Sequence, residues 1–298
     1  MSRTLRVFPV DAFTTQAGGG NPAWVALDAG GLDGAAMQRL AGAHHAGDWA
    51  FVLPPSSADA DLDVRFFSPR RELPFVGHAT LAVHAVLGRF EPRPLRRQRG
   101  ITGIVEVRRL AQGGFSIQQP APPLGQTPAP EQMREVLDLL GLRADQLDAR
   151  CAPRIAGGAS TRLLLALGGT AALDGLAPRL SELAALSPRL GAQGFFPFVV
   201  DHDAAGLLVT EARMFCPAIG IDEDPVSGNA HGMLAVYLHA AGLLPVRDGV
   251  ARLSGHQGRH VGRPGEVHVE LELAADRPRV VRIAGEAVVG GESRVTLD

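Results

Sequence analysis

Two stretches of this chain, whose Glu, Pro, Gly and Ala are each 151 positions apart, follow one recipe. The first runs Phe67-Ser68-Pro69, then Glu72-Leu73-Pro74-Phe75-Val76-Gly77-His78-Ala79, then an apolar, small-residue-rich segment. The second runs Phe215-Cys216-Pro217, then Glu223-Asp224-Pro225-Val226-Ser227-Gly228-Asn229-Ala230, then another such segment. Both fit F-x-P, a short gap, and E-x-P-x-x-G-x-A leading into a helix. A repeat of this kind constrains the fold more than any single segment does, because it calls for two halves of like architecture. With 298 residues, each half is long enough to bury its own core.

The repeat also has a chemical reading. In each copy a strand end feeds a proline turn, and a glycine opens a buried helix. The first turn of a helix carries unpaired N–H groups and partial positive charge, so it suits anions. Two such starts facing one cavity would form a carboxylate-binding, charge-stabilising pocket. His78 and Asn229, one step past each glycine, would project into it.

Short strand-like runs surround these helices. Leu5–Val10, Ala50–Leu53, Asp63–Phe67, Ile104–Arg108 and Phe115–Gln118 read as strands of the first half. Arg162–Ala166, Phe195–Val200, Leu207–Phe215, Val267–Leu273 and Val280–Ile283 read as strands of the second, and 286–297 as one or two more. Helical patterns cover 32–43 after an Asp33 start signal, 77–87, 131–140, 180–186 and 228–241. The Pro-rich stretch 120–130 is the best linker. Many short strands around one buried helix per half indicate an α+β fold, not a doubly wound sheet. The expected domains are 1–120, which 286–298 can complete, and 125–285.

Residue inventory removes several functions. The chain has no lysine, so a lysine Schiff base to pyridoxal phosphate and an ordinary P-loop are both ruled out. Net charge is -2, without a basic run, so nucleic acid is not an expected partner. The four arginines between Arg93 and Arg99 read as a solvated loop or edge. No leader and no stretch of about 18 apolar residues is evident, so a cytoplasmic protein without a membrane partner is expected. Cys151 and Cys216 form neither a disulfide framework nor a metal-spaced pair. His44 and His45 are adjacent and lack a third ligand at metal-site spacing, so no metal is expected. Gly18-Gly19-Gly20 lacks the strand–GxGxxG–helix setting of a phosphate loop and reads as a turn.

Several of these pieces together resemble the PhzF family, named after a phenazine-biosynthesis isomerase. They are Phe8-Pro9-Val10-Asp11-Ala12-Phe13 followed by Gly20-Asn21-Pro22-Ala23, then Gly77-His78-Ala79-Thr80, then Glu223 to Gly228, then Gln257-Gly258 with Gly262-Arg263-Pro264. The likeness keeps its order over roughly residues 5–290. It implies two similar diaminopimelate-epimerase-like domains, each a curved mixed β-sheet around a central helix, with the active site between them. It further implies an isomerase without metal or organic cofactor, often a homodimer, acting on a small anionic substrate.

The family's catalytic Glu corresponds to Asp48, just before Trp49-Ala50-Phe51-Val52. The resemblance assigns catalytic partners at His78 and Asp224, and substrate contacts at Asn21, Gly77, Ala79, Ser227, Gly228 and Asn229. Asp48 as acid/base needs a raised pKa, for which the apolar neighbours Trp49, Phe51 and Val52 are the expected source. His78 at a helix start should stay neutral. Asp224 reads equally as a substrate ligand or a helix cap. Glu72 and Glu223 read as structural, complementing the helix starts.

Three departures bear on the reaction. Asp48 is one methylene shorter than Glu, about 1.5 Å at ordinary bond lengths. A displacement of that size can lower rates about 100-fold, which argues for a substrate other than the phenazine intermediate. Val76 holds the place where epimerases carry Cys, against a two-thiol racemase, and Asn229 replaces a Ser. The alternatives are an inert anion-binding protein on the same fold and an amino-acid racemase or epimerase. Cys216, beside a proline at a strand end, reads as structural.

Overall fold

The computed structural model describes residues 3–43 and 47–297, so His44 and His45 lie outside the described residues. The chain divides into two compact units, one formed by 1–119 with 284–298 and one by 120–283.

Unit 1 opens with strands β1 (Arg3–Ala12) and β2 (Asn21–Leu27), helix α1 (Gly34–Ala43), and strands β3 (Asp48–Leu53), β4 (Leu62–Phe67) and β5 (Glu72–Leu73). Helix α2 (Gly77–Phe90) and strands β6 (Leu95–Gly100), β7 (Gly103–Arg109) and β8 (Phe115–Pro120) follow. β1 runs antiparallel to β2, and β2 parallel to β3. β3 is antiparallel to β4, β4 parallel to β6, and β6–β7–β8 form an antiparallel meander.

α2 is apolar on every side and buried from Ala79 through Val86, as a helix enclosed by a sheet must be. Its two buried polar side chains are satisfied internally. The His84 ring lies 3.1 Å from Gln98 Oε1, and Gln98 Nε2 donates to Thr80 Oγ1 at 3.3 Å. On the other face of the sheet, Trp49, Phe51 and Phe67 pack with Met37 and Leu40 of α1.

Unit 2 repeats the pattern. It contains α3 (Pro130–Leu140), β9 (Arg154–Gly157), β10 (Thr161–Ala166), α4 (Thr170–Asp174), α5 (Leu180–Leu190), β11 (Gly194–His202) and β12 (Leu208–Ala212). Then come α6 (Gly228–Ala240), β13 (Val246–Arg247), β14 (Val250–Gln257), β15 (Gly265–Ala274) and β16 (Arg277–Gly285). The pairings reproduce those of unit 1: β9 antiparallel to β10, β10 parallel to β11, β11 antiparallel to β12, β12 parallel to β14, β14 antiparallel to β15. α6 is the second fully buried helix. A leucine-rich core with Phe195 and Phe215 joins α3 and α5 to the other face of this sheet.

The last strands, β17 (Ala287–Val289) and β18 (Ser293–Leu297), return to unit 1 and pair antiparallel with β1.

Several elements differ from the sequence expectation. Arg93–Arg99 is not a solvated loop or edge: β6 pairs with β4 on one side and β7 on the other, and Arg96 and Gln98 are buried. The inward positions of this strand are polar, so its alternation carries no apolar signal. Arg96 instead directs its guanidinium to the Glu91 carbonyl oxygen. β2 and β14 also escaped notice, and β12 ends at Ala212, short of Phe215. The Gly18–Gly20 segment is a turn, held by a 2.7 Å bond from the Gly18 N–H to Asp11 Oδ2.

Candidate active site

Asp48 is the first residue of β3, opposite Ala23 on the parallel strand β2. Gly47 before it has φ +83, and a Cβ there would lie 2.6 Å from the Pro22 carbonyl oxygen. Glycine therefore lets the chain turn tightly against Asn21-Pro22 before the acid. Asn21 itself is buried at the start of β2. Side chains alternate along a strand, so Trp49 and Phe51 point to the α1 core and Asp48 to the α2 side. Of the expected apolar screen, Trp49 and Phe51 thus lie on the other face while Val52 shares the face of Asp48, and the burial of Asp48 comes from its own side of the sheet.

There Asp48 Oδ2 lies 3.6 Å from His78 Nε2, with the two side chains 21% and 14% exposed. That separation exceeds a normal hydrogen bond, and His78 Nε2 is sealed from solvent without another partner. Burial pushes Asp48 up to about 6 and His78 down to about 4. An ion pair would move both the other way. The pair therefore consists of a neutral imidazole and a carboxyl that titrates close to neutrality.

His78 is the second residue of α2. No side chain caps this helix at Val76, and the first ladder bond runs from the Thr80 N–H to the Val76 oxygen at 2.9 Å. The amides of Gly77, His78 and Ala79 are left to an external acceptor. A Cβ at Gly77 would meet only Phe75 Cε1 at 3.9 Å, so the protein's own packing does not demand glycine there.

The matching turn in unit 2 is held differently. Ser227 caps α6 by accepting the Ala230 N–H at 3.3 Å. The Gln257 carboxamide grips the turn at both ends, accepting the Ser227 N–H at 3.1 Å and donating to the Asp224 carbonyl at 2.6 Å. The Asp224 N–H donates to the Met214 carbonyl at 2.8 Å. Ser227 is the cap, so the capping role weighed for Asp224 falls away. Gly228 and Asn229 supply the next amides of the helix. His231, fully buried one turn in, sits 2.8 Å by Nδ1 from the Ser227 carbonyl, and burial holds it down at about 4. A side chain at Gly255 would collide with its ring.

Glu72 and Glu223 do not complement helix starts. Each forms a two-point ion pair with an arginine, Arg65 at 2.7 and 2.8 Å and Arg213 at 2.9 and 2.7 Å. Each arginine also lies over the repeat phenylalanine, Arg65 at 5.3 Å from Phe67 and Arg213 at 4.9 Å from Phe215. The signal was present as an arginine two residues before each phenylalanine. Cys216 is fully buried and its thiol is pushed up to about 12, so it is inert as a nucleophile. Among the described residues no group of three or more His, Cys, Asp or Glu could hold a metal ion, and no helix is long and apolar enough to cross a membrane.

Twin α+β units built around buried helices, each opening at a glycine, define an isomerase and epimerase type of fold. Residues 10–292 match the family described as PhzC-PhzF, phenazine biosynthesis-like protein, and the chain belongs to that family. It is 34% identical to the uncharacterized isomerase YddE of Escherichia coli O157:H7, covering 95% of this chain and 96% of that one. It is 30% identical to the trans-2,3-dihydro-3-hydroxyanthranilate isomerase of Pseudomonas aeruginosa, covering 98% and 99%. Among solved structures, a PhzF-family phenazine biosynthesis protein of Bacillus anthracis matches with TM-score 0.85 and 25% identity over 98% and 99% of the two chains. The protein is an enzyme of the isomerase class.

Proposed function

We propose that this enzyme isomerises a small carboxylate-bearing substrate by moving one proton, with Asp48 as acid and base. The observation that carries the reading is the Asp48 carboxyl, pushed up to about 6 at 3.6 Å from a neutral His78 beside the uncapped start of α2. A carboxyl titrating near neutrality is suited to take a proton and give it back. Ionised Asp48 removes a proton from a substrate carbon. The negative charge spreads into the adjoining π-system, where the amides of Gly77, His78 and Ala79 stabilise it. Protonated Asp48 then returns the proton to a different carbon, so the acid ends as it began and no cofactor is consumed. His78, neutral throughout, orients the carboxyl. In this reading Asp224 takes an amine or hydroxyl of the substrate and Asn229 a carboxylate.

A two-thiol racemase is not favoured, because Val76 and Ser227 hold the positions directly before the helix glycines and Cys216 is buried.

The test is deuterium wash-in from heavy water over a panel containing trans-2,3-dihydro-3-hydroxyanthranilate and cyclic amino acids. Wild-type enzyme should label one carbon of a panel member. Asp48→Ala should lower that rate about 100-fold or more with an unchanged circular dichroism spectrum. Wild-type exchange in Asp48→Ala would sink the assignment.

A further inference from the structure

Beside the place that Asp48 holds in unit 1, unit 2 sets a charge of opposite sign on the neighbouring strand. The correspondence follows from register. Trp49 pairs with Phe67 in unit 1, and Phe195 bridges to Phe215 in unit 2. One residue earlier stand Asp48 and Gly194, whose parallel-strand partners are Ala23 and Arg162. Unit 1 thus sets an acid beside a methyl group, and unit 2 sets an arginine beside bare backbone.

Arg162 uses the space that Gly194 leaves. A Cβ on Gly194 would lie 2.9 Å from Arg162 Cδ and would collide with Cys216 Sγ. The direction of the arginine follows from alternation: Leu163 and Leu165 enter the core shared with α3 and α5, so Arg162 faces the α6 side. Phe196, two residues after Gly194, meets the His231 ring of α6 at 5.3 Å on that same side. Met214, whose sulfur Arg162 Nε approaches, accepts the Asp224 N–H on its carbonyl, which brings the arginine close to the turn that leads into α6.

This cation is nine-tenths buried and lacks a counter-ion. Arg162 is 7% exposed. Its Nε approaches Met214 Sδ at 3.3 Å and its Nη1 donates to the Thr161 carbonyl at 2.8 Å. Among the described residues Nη2 has no hydrogen-bond partner, and no carboxylate forms an ion pair with the guanidinium. Nη2 is also not among the atoms sealed from solvent. Arg65 and Arg213, by contrast, each have a two-point glutamate partner. Burying an unpaired cation is costly, and a bound carboxylate would supply the missing counter-charge.

We infer that Arg162 is the anchor of a carboxylate-binding subsite in unit 2, taking a small organic acid whose charge the guanidinium fork and the first amides of α6 neutralise together. The planar fork suits a carboxylate in two-point geometry, and the helix start adds favourable potential. As the anchor for the substrate's acid group, Arg162 deepens the proposed function and rests on it. As a binding site it stands on its own.

Benzoate is the probe, followed by calorimetry and by the ¹⁵N side-chain resonances of arginine-labelled enzyme, with benzamide as the neutral control. Wild-type enzyme should bind benzoate, shift the Arg162 resonance, and ignore benzamide. Arg162→Met, which keeps the apolar stem beside Met214, should weaken benzoate at least tenfold. It should also melt at or above the wild-type temperature, because an uncompensated buried charge has gone. Arg162→Lys should fall between the two. Unchanged benzoate affinity in Arg162→Met, or a lower melting temperature with unchanged affinity, would show a packing role and overturn the inference. Should that variant not fold, an unmoved Arg162 resonance in benzoate-saturated wild-type enzyme, or no benzoate binding at all, overturns it equally. Asp48→Asn separates the two proposals, since it should lose exchange and keep benzoate. Exchange that needs Asp48 with benzoate binding indifferent to Arg162 defeats only this inference; the reverse pattern defeats only the proposed reaction.

Discussion

The two units solve the same folding problem and finish it differently at the helix starts. In unit 1 the turn before α2 has no side-chain cap, and the position beside it holds an acid pushed up to about 6. In unit 2 the turn before α6 is capped by Ser227 and held at both ends by Gln257, and the acid's counterpart is Gly194. Register explains the missing grip in unit 1. Ala212 pairs with Gln257, and the unit 1 residue aligned with Gln257 is Gly100, which has no side chain to offer. The two units share a frame of pairings, and they differ at the helix starts. One half keeps an uncapped helix start and an acid pushed up to about 6, while the other keeps a fixed turn and an arginine.

The repeated arginine–glutamate pair gives the widest expected contrast. In unit 2 the Arg213 and Glu223 side chains are 11% and 14% exposed, against 33% and 30% for Arg65 and Glu72. Arg213→Met strands a buried carboxylate and should cost about 3–5 kcal/mol in urea unfolding. Arg65→Met should cost about 1 kcal/mol or less, because its pair is partly solvated. Equal losses would mean that the pairs are structural twins in energy as well as in geometry.

Gln257→Leu should come next. It leaves the Ser227 N–H and the Asp224 carbonyl unpaired and should cost about 2–4 kcal/mol. Gly100→Ala in unit 1 should be nearly silent by the same measurement, because its Cβ would meet only backbone oxygens at 3.7 and 4.0 Å. Gly194→Ala sharpens the acid-versus-glycine contrast. Its Cβ meets Cys216 and Arg162, and overpacking of that kind should destabilise by about 1–3 kcal/mol. A neutral result there would show that unit 2 has room for a side chain after all.

The smallest expected effect is the pH dependence of stability, and it belongs to unit 1. Asp48 is pushed up from 3.8 to about 6, so its contribution is complete below 3.8 and lost as pH rises through about 6. His78 is pushed down from 6.5 to about 4, so its contribution is present above about 6.5 and lost as pH falls toward 4. Asp48→Asn should therefore gain roughly 1–2 kcal/mol over wild type at pH 8 compared with pH 4, allowing for the partial exposure of the acid. Chemical denaturation at the two pH values measures it.

The two buried helices and most strands were legible in the sequence, because an all-apolar helix opening at a glycine is a strong pattern. β6 and β14 were not, since Arg96, Gln98 and Gln257 point inward as polar residues and cancel the alternation that marks a strand. The motif residues of each turn were visible, but two of the three residues expected to screen Asp48, Trp49 and Phe51, lie on the other face. Adjacent residues on a strand face opposite ways, so Trp49 could not screen its neighbour. Gln257 appeared only as a motif letter, because its two partners lie 30 and 33 positions away. Arg162 gave no signal at all, since an arginine at the start of an apolar strand looks like an ordinary exposed end.

The pairing of β1 with β17 and β18 dictates an order of assembly. Unit 2 is one uninterrupted segment, 120–283, whereas unit 1 needs strands from both extremities of the chain. During synthesis the second unit has all its strands while the first still lacks two, so β1 waits with an unpaired edge until residues 287–297 emerge. That exposed edge is the stage at which a nascent chain is most open to pairing with a stranger. Closing it spans nearly the whole polypeptide, which makes the final step slow relative to local folding.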